Sequence, residues 1–141
     1  MLIKEKILLE IDTPTISGLI YPKEVVPSIM TNIIHQDIGG VIQTSTNWVD
    51  PTDKKPIFKL INPQCAVDTI EEIPQLLLVC DVDIDETKLT PEELNDINTK
   101  PWRLSMIGQG DVDEETHMVT KFEIKYTNIE IIDENMYNEE K

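Results

Sequence analysis

Residues 75–84, QLLLVCDVDI, constrain the fold more than any other segment. Leu76, Leu78, Cys80, Val82 and Ile84 alternate with Leu77, Val79, Asp81 and Asp83. Successive strand side chains point to opposite faces. The pattern therefore predicts a strand with one face buried throughout and the other buried only at its start. A strand of that kind needs apolar layers on both sides, which other extended segments and at least one helix must supply.

The rest of the chain offers those layers. Residues 2–11 (LIKEKILLEI) read as a strand ended by Thr13-Pro14, and 16–20 as a short extended piece. Residues 22–36 read as a helix, with Val25, Val26, Ile29, Met30, Ile33 and Ile34 on one face. Pro22 suits its first position, and Pro27 can move the true start forward. Gly39-Gly40 then stops the helix and opens a strand over 40–46. After a turn at 49–56, residues 57–61 and 65–72 are extended, with Asn62-Pro63 between them.

A second helix is signalled at 89–98. Thr90 and Glu93 have capping-box spacing, Pro91 suits the first helical position, and Leu89 and Leu94 suit a hydrophobic staple. Pro101 ends this helix from downstream. Residues 102–107 read as a strand, Gly108-Gln109-Gly110 as its end, and 111–116 as an acidic turn. In the last strand, 117–132, Phe122, Ile124 and Tyr126 share one parity whereas Ile129 and Ile131 have the other. A bulge near Thr127-Asn128 would reconcile them. The expectation is an α+β fold: a mainly antiparallel sheet or partial barrel with one longer and one short helix. It is read as a single globular domain over 1–132 with an acidic tail at 133–141.

The charge narrows the partners. The chain carries 12 Lys+Arg against 27 Asp+Glu, a net −15. Residues 1–70 hold six cations and eight acids, while 71–141 hold six cations and 19 acids. The acids gather at 81–86, 111–115 and 133–140, which suits loops turned toward water or a basic partner. Direct contact with nucleic acid is not expected, because a phosphate backbone demands clustered Lys and Arg. An anionic membrane is disfavoured for the same reason. No run of 18 apolar residues exists, and Met1–Glu5 lacks the pattern of a signal peptide. Cys65 and Cys80 both sit in apolar stretches and read as buried free thiols.

Several constellations invite chemistry. Asp81, Asp83 and Asp85 alternate, with Glu92 at the twelfth place, as in a calcium loop. The sixth place, which needs Gly for its turn, is Glu86, so a solvated strand end is the plainer reading. His35 and His117 have no Cys or second His nearby to complete a metal site. No metal or cofactor is therefore expected. Ser105 is followed by Gly108 and Gly110, which could offer N–H donors to an oxyanion or simply end a strand. Trp48 and Trp102 flank turns, where aromatics act as interface anchors or as lids on a core.

Two segments carry a resemblance. Gly18-Leu19-Ile20-Tyr21-Pro22-Lys23-Glu24-Val25-Val26 places a Tyr-Pro at the start of a helix. Trp102-Arg103-Leu104-Ser105-Met106-Ile107-Gly108-Gln109-Gly110-Asp111 follows the short helix and precedes Val119-Thr120-Lys121-Phe122-Glu123-Ile124. Together they cover about half the chain, and their order resembles that of the head-maturation (prohead) proteases of tailed phages. Those enzymes are similar in fold to herpesvirus assembly proteases. The resemblance implies that Ser105 occupies the nucleophile position. In that family a His on the strand after the first helix acts as the base, but Gly40–Thr46 contains none. Met106 and Gln109 are also bulkier than the family's small residues, and its Arg near the nucleophile is missing.

The resulting expectation is a degenerate, non-enzymatic relative: a phage virion structural protein associated with the capsid and assembled in the host cytoplasm. It would be bound in many copies to other virion proteins. Trp48, Trp102, Asp81, Asp83, Asp85, Asp111, Asp113 and Glu114 are its candidate contacts. Two alternatives remain. One is an active head-maturation serine protease using Ser105. The other is an acidic inhibitor or DNA mimic that occupies a basic host protein.

Overall fold

The computed structural model describes residues 1–44, 50, 55–70 and 72–132. Seven strands and two α-helices follow one another: β1 (Leu2–Glu10), α1 (Val26–His35), β2 (Gly39–Gly40), β3 (Ile42–Gln43), β4 (Phe58–Ile70), β5 (Ile73–Ile84), α2 (Pro91–Thr99), β6 (Trp102–Val112) and β7 (Val119–Ile131). Single 3-10 turns at Lys23–Val25 and Glu86–Lys88 lead into the helices. No helix among the described residues is long and apolar enough to cross a membrane.

One sheet has the order β1-β5-β4-β2 and the other β3-β7-β6. All ladders are antiparallel except β3 with β7. The sheets join where the chain passes from β2 into β3. Gly40 pairs with Phe58 in the first sheet, and two residues later Ile42 pairs with Ile129 in the second. The result is an α+β half-barrel with the continuous order β6-β7-β3/β2-β4-β5-β1. One apolar cluster fills it, including Ile29, Leu78, Val82, Ile124 and Ile129.

Extra residues curl the sheet. β1 and β7 each slip register twice and β4 once, and every such bulge raises the local twist. Asn62-Pro63 therefore lies inside one continuous strand rather than between two. Asn62 adopts φ 51°, a left-handed conformation that Asn tolerates better than most residues. The parity switch in β7 sits at Lys125, the residue left over between the Ile107–Tyr126 and Gly108–Ile124 pairs. That is two residues before the expected position.

β5 runs as its alternation dictates. Leu78, Cys80, Val82 and Ile84 are buried on one face; Leu77 and Val79 are buried on the other, which Asp81 and Asp83 leave partly open. α1 starts at Val26 with Pro27 in its first turn and buries Val26, Ile29 and Ile33. Ile34 turns outward and is 63% exposed. The helix lies along β7, where Asn32 Oδ1 accepts from the Ile124 N–H (3.3 Å) and Ser28 Oγ donates to the Phe122 carbonyl (3.5 Å). These bonds occupy a strand edge that would otherwise be unpaired. α2 has the expected capping box: Glu93 N–H donates to Thr90 Oγ1, and Thr90 N–H to Glu93 Oε1.

Other expectations are corrected. Residues 16–20 form a turn with isolated bridges from Ile20 to Pro14 and to Met118 rather than a strand. Of the strand expected over 40–46, the described part is two short pieces, because its partners lie in different sheets, and residues 45 and 46 lie outside the described residues. β6 continues through Gly108, Gln109 and Gly110 to Val112, so the acidic turn begins at Asp113. Cys80 is buried, and burial together with the Asp81 charge pushes its thiol up to about 12. Cys65, expected to be buried, is exposed: it lies past the β4 bulge and outside the core cluster, with its Sγ 4.0 Å from Met30 Sδ. Trp48 and the acidic tail at 133–141 lie outside the described residues.

Candidate functional site: the open seam of the half-barrel

The barrel does not close. β1 ends one sheet and β6 ends the other. Tracing the ladders around the curl shows that these two edges run in the same direction. At their start the seam is plugged. Trp102 Nε1 donates to the Ile97 carbonyl at 3.3 Å, and Lys6 Nζ lies 3.9 Å over the indole ring. Partial burial lowers the Lys6 pKa from its ordinary value. Trp102 thus acts as a lid on the core rather than as a free anchor.

Beyond the plug the seam opens into a cleft of about 600 Å³. Leu8–Glu10 form one wall, Arg103–Met106 the other, and Thr13–Ser17 close one end. Arg103 Nε donates to Glu130 Oε2 across the β6–β7 ladder at 3.0 Å. Ser105 is half-buried on the β6 wall, and its Oγ has no hydrogen-bond partner among the described residues. Its carbonyl accepts from Thr127 Oγ1 at 2.8 Å.

Among the described residues neither histidine lines the cleft beside Ser105. His117 lies in the turn beyond the far end of β6, about 20 Å or more along the strand. His35 is exposed at the end of α1. A serine hydroxyl without an adjacent base is a weak nucleophile near neutral pH. The glycines offer no oxyanion cradle either. Gly108 and Gly110 sit in the ladder, where a Cβ would overlap the carbonyl oxygens of Glu123 and Lys121. Close approach of β7 is enough to require glycine at both positions.

The acidic candidates separate into two groups. Asp83 and Asp85 lie at the end of β5 beside Met1, whose amine donates to the Ile84 carbonyl (2.8 Å) and pairs with Glu86 (3.2 Å). Asp111, Asp113 and Glu114 lie at the opposite end, where Ile20 bridges to Met118. The length of β1, about 30 Å, separates them. They do not form the single acidic side that the sequence suggested. Asp85 Oδ1 accepts from Thr87 N–H and Oγ1, which lowers its pKa. Asp113 Oδ1 likewise accepts from Glu115 N–H in the β6–β7 turn. Among the described residues no three His, Cys, Asp or Glu side chains are placed to share a metal ion.

Asp81 is a structural pin. Its Oδ1 accepts from the N–H of Glu5 and its Oδ2 from Asn62 Nδ2, each at 3.0 Å. Glu5 and Asn62 are the left-handed residues of the bulges in β1 and β4, so one carboxylate fixes both strands flanking β5. The Asn62 bond, then the Glu5 bond, hold its pKa below the ordinary value, with help from Lys4. A depressed carboxylate stabilises the fold above its unfolded pKa of about 4 and stops doing so as pH falls through the folded value. Asp81→Asn is therefore expected to unfold at lower denaturant than the wild type near pH 7. The gap should narrow in urea titrations as the pH is taken below the unfolded value of about 4. An unchanged gap at both pH values would show that the charge is not what matters.

Asn128 was not singled out from the sequence. It is fully buried, and neither Nδ2 nor Oδ1 has a partner among the described residues. A buried amide without partners costs about 1–3 kcal/mol. Asn128→Leu keeps the branched shape and removes both polar atoms, and despite its bulkier methyl groups it is expected to raise stability by about 1 kcal/mol in denaturant unfolding. A polar pair where a strand switches parity was the available signal: beyond the Lys125 bulge Thr127 shares the parity of Ile129 and Ile131, and Asn128 is buried on the opposite parity.

No protein-family model matches the chain, and no curated protein or solved structure matches it either.

Proposed function

We propose that this chain is a non-enzymatic structural protein of a tailed-phage particle, associated with the head and bound in many copies to other virion proteins. The observation that carries the reading is Ser105. The residue stands in an open cleft at the nucleophile position of the resemblance, yet no histidine is within reach of it. The barrel also leaves two strand edges facing a cleft, a geometry suited to holding another chain. The net charge of −15 opposes direct contact with packaged DNA or an anionic membrane.

The test is incubation of the purified chain with the capsid and scaffold proteins of the same phage, read by gel and mass spectrometry. No cleavage is expected, and Ser105→Ala should behave as the wild type. Specific cleavage that disappears in Ser105→Ala would establish a protease instead.

A further inference from the structure

We propose that the free edge of β6 binds an extended, positively charged segment of a partner protein by strand addition. This rests on the assembly reading above and names the surface that would serve it. β6 pairs with β7 on one side and has no strand on the other among the described residues. Its first half borders the cleft, and Gly108–Val112 are exposed. The unpaired N–H and C=O groups of such an edge are best met by another extended backbone. With Gly108 and Gly110 there, few side chains stand between that backbone and an incoming strand. β1 and β6 run in one direction, so a segment running the other way would pair antiparallel with β6 and narrow the seam.

The charge selects the occupant. Glu10, Glu130, Asp111, Asp113, Glu114 and Glu115 line this seam and its far end. The cations nearby are engaged. Arg103 is held by Glu130, and Lys6 lies over Trp102. A second copy of a chain with net charge −15 would be repelled, whereas a Lys- or Arg-bearing strand would be attracted.

The experiment uses the full chain and three labelled ten-residue peptides at physiological salt. One alternates Lys and Val. The second has the same sequence with alternate backbone nitrogens methylated, which removes ladder donors but keeps the charge. The third alternates Glu and Val. Anisotropy should show binding of the Lys-Val peptide, about tenfold or more weakened by methylation and absent for Glu-Val. Amide exchange should slow along Ser105–Val112. Asp111→Lys, at an exposed position, should weaken binding while circular dichroism stays unchanged. Failure of the Lys-Val peptide to bind, equal binding of the methylated peptide, or protection confined to the Asp83–Asp85 end would each overturn the proposal. None of these results would remove the chain from a particle, so the two readings fail separately.

Discussion

Gly40→Ala is expected to remove most or all of the fold's stability, with a cost of about 5 kcal/mol or more against a typical total of about 5–15 kcal/mol. A Cβ on Gly40 would overlap the carbonyl oxygen of Thr127 and crowd Asn128 Oδ1 at 3.3 Å. The obstacle is backbone, so no rotamer relieves it. Gly40 cannot retreat without loss, because its carbonyl accepts from the Ile57 N–H at 2.9 Å and it pairs with Phe58. Moving it would pull apart the junction between the two sheets. Gly18→Ala is the informative comparison. Gly18 has φ 85° but open space around it, so only the left-handed penalty of about 1–2 kcal/mol is expected there. Soluble yield and urea unfolding of the two variants check the contrast. A folded, wild-type-like Gly40→Ala would mean that β2 does not cross β7 as described.

Ile129→Ala is expected to cost about 3–4 kcal/mol. Ile129 is fully buried, pairs with Ile42 on one side and Leu104 on the other, and donates its N–H to the Val41 carbonyl at 3.1 Å. The cavity would open where both sheets and the joining strand meet, so little can collapse into it. Val112→Ala removes an apolar side chain that is 39% exposed and should change stability by less than about 0.5 kcal/mol. Denaturant midpoints for the pair test whether the core spans both sheets. Equal small effects would place Ile129 outside a shared core.

Much of the fold was legible because the signals were local. The alternation of β5 and the capping box at Thr90 and Glu93 concern neighbours within a few residues. What stayed hidden depends on partners far along the chain. The bulges at Glu5 and Asn62 exist because Asp81 holds both, some 76 and 19 residues away. Gly108 and Gly110 looked like a turn; their smallness instead answers to the bulged β7 beside them. Gly39-Gly40 looked like a simple helix stop, but Gly40 marks the crossing between sheets.

The site was legible only in part. Ser105 and Trp102 were recognisable as singular residues, and both border the seam. The seam itself was not, since it joins β1 and β6 from opposite ends of the sequence. The acidic runs were plain, but sequence order could not show that one strand length divides them. Nor could residue types tell a contact from a cap: Asp85 and Asp113 bind groups in their own turns, and Asp81 binds two neighbouring strands.

Quantitative mass spectrometry of gradient-purified phage particles, assembled in cells that express the chain, measures the proposed role directly. The chain should co-sediment with assembled heads at a fixed ratio to the major capsid protein and remain after washing in moderate salt. Its absence from mature particles, together with Ser105-dependent cleavage of head proteins during assembly, would contradict the structural role.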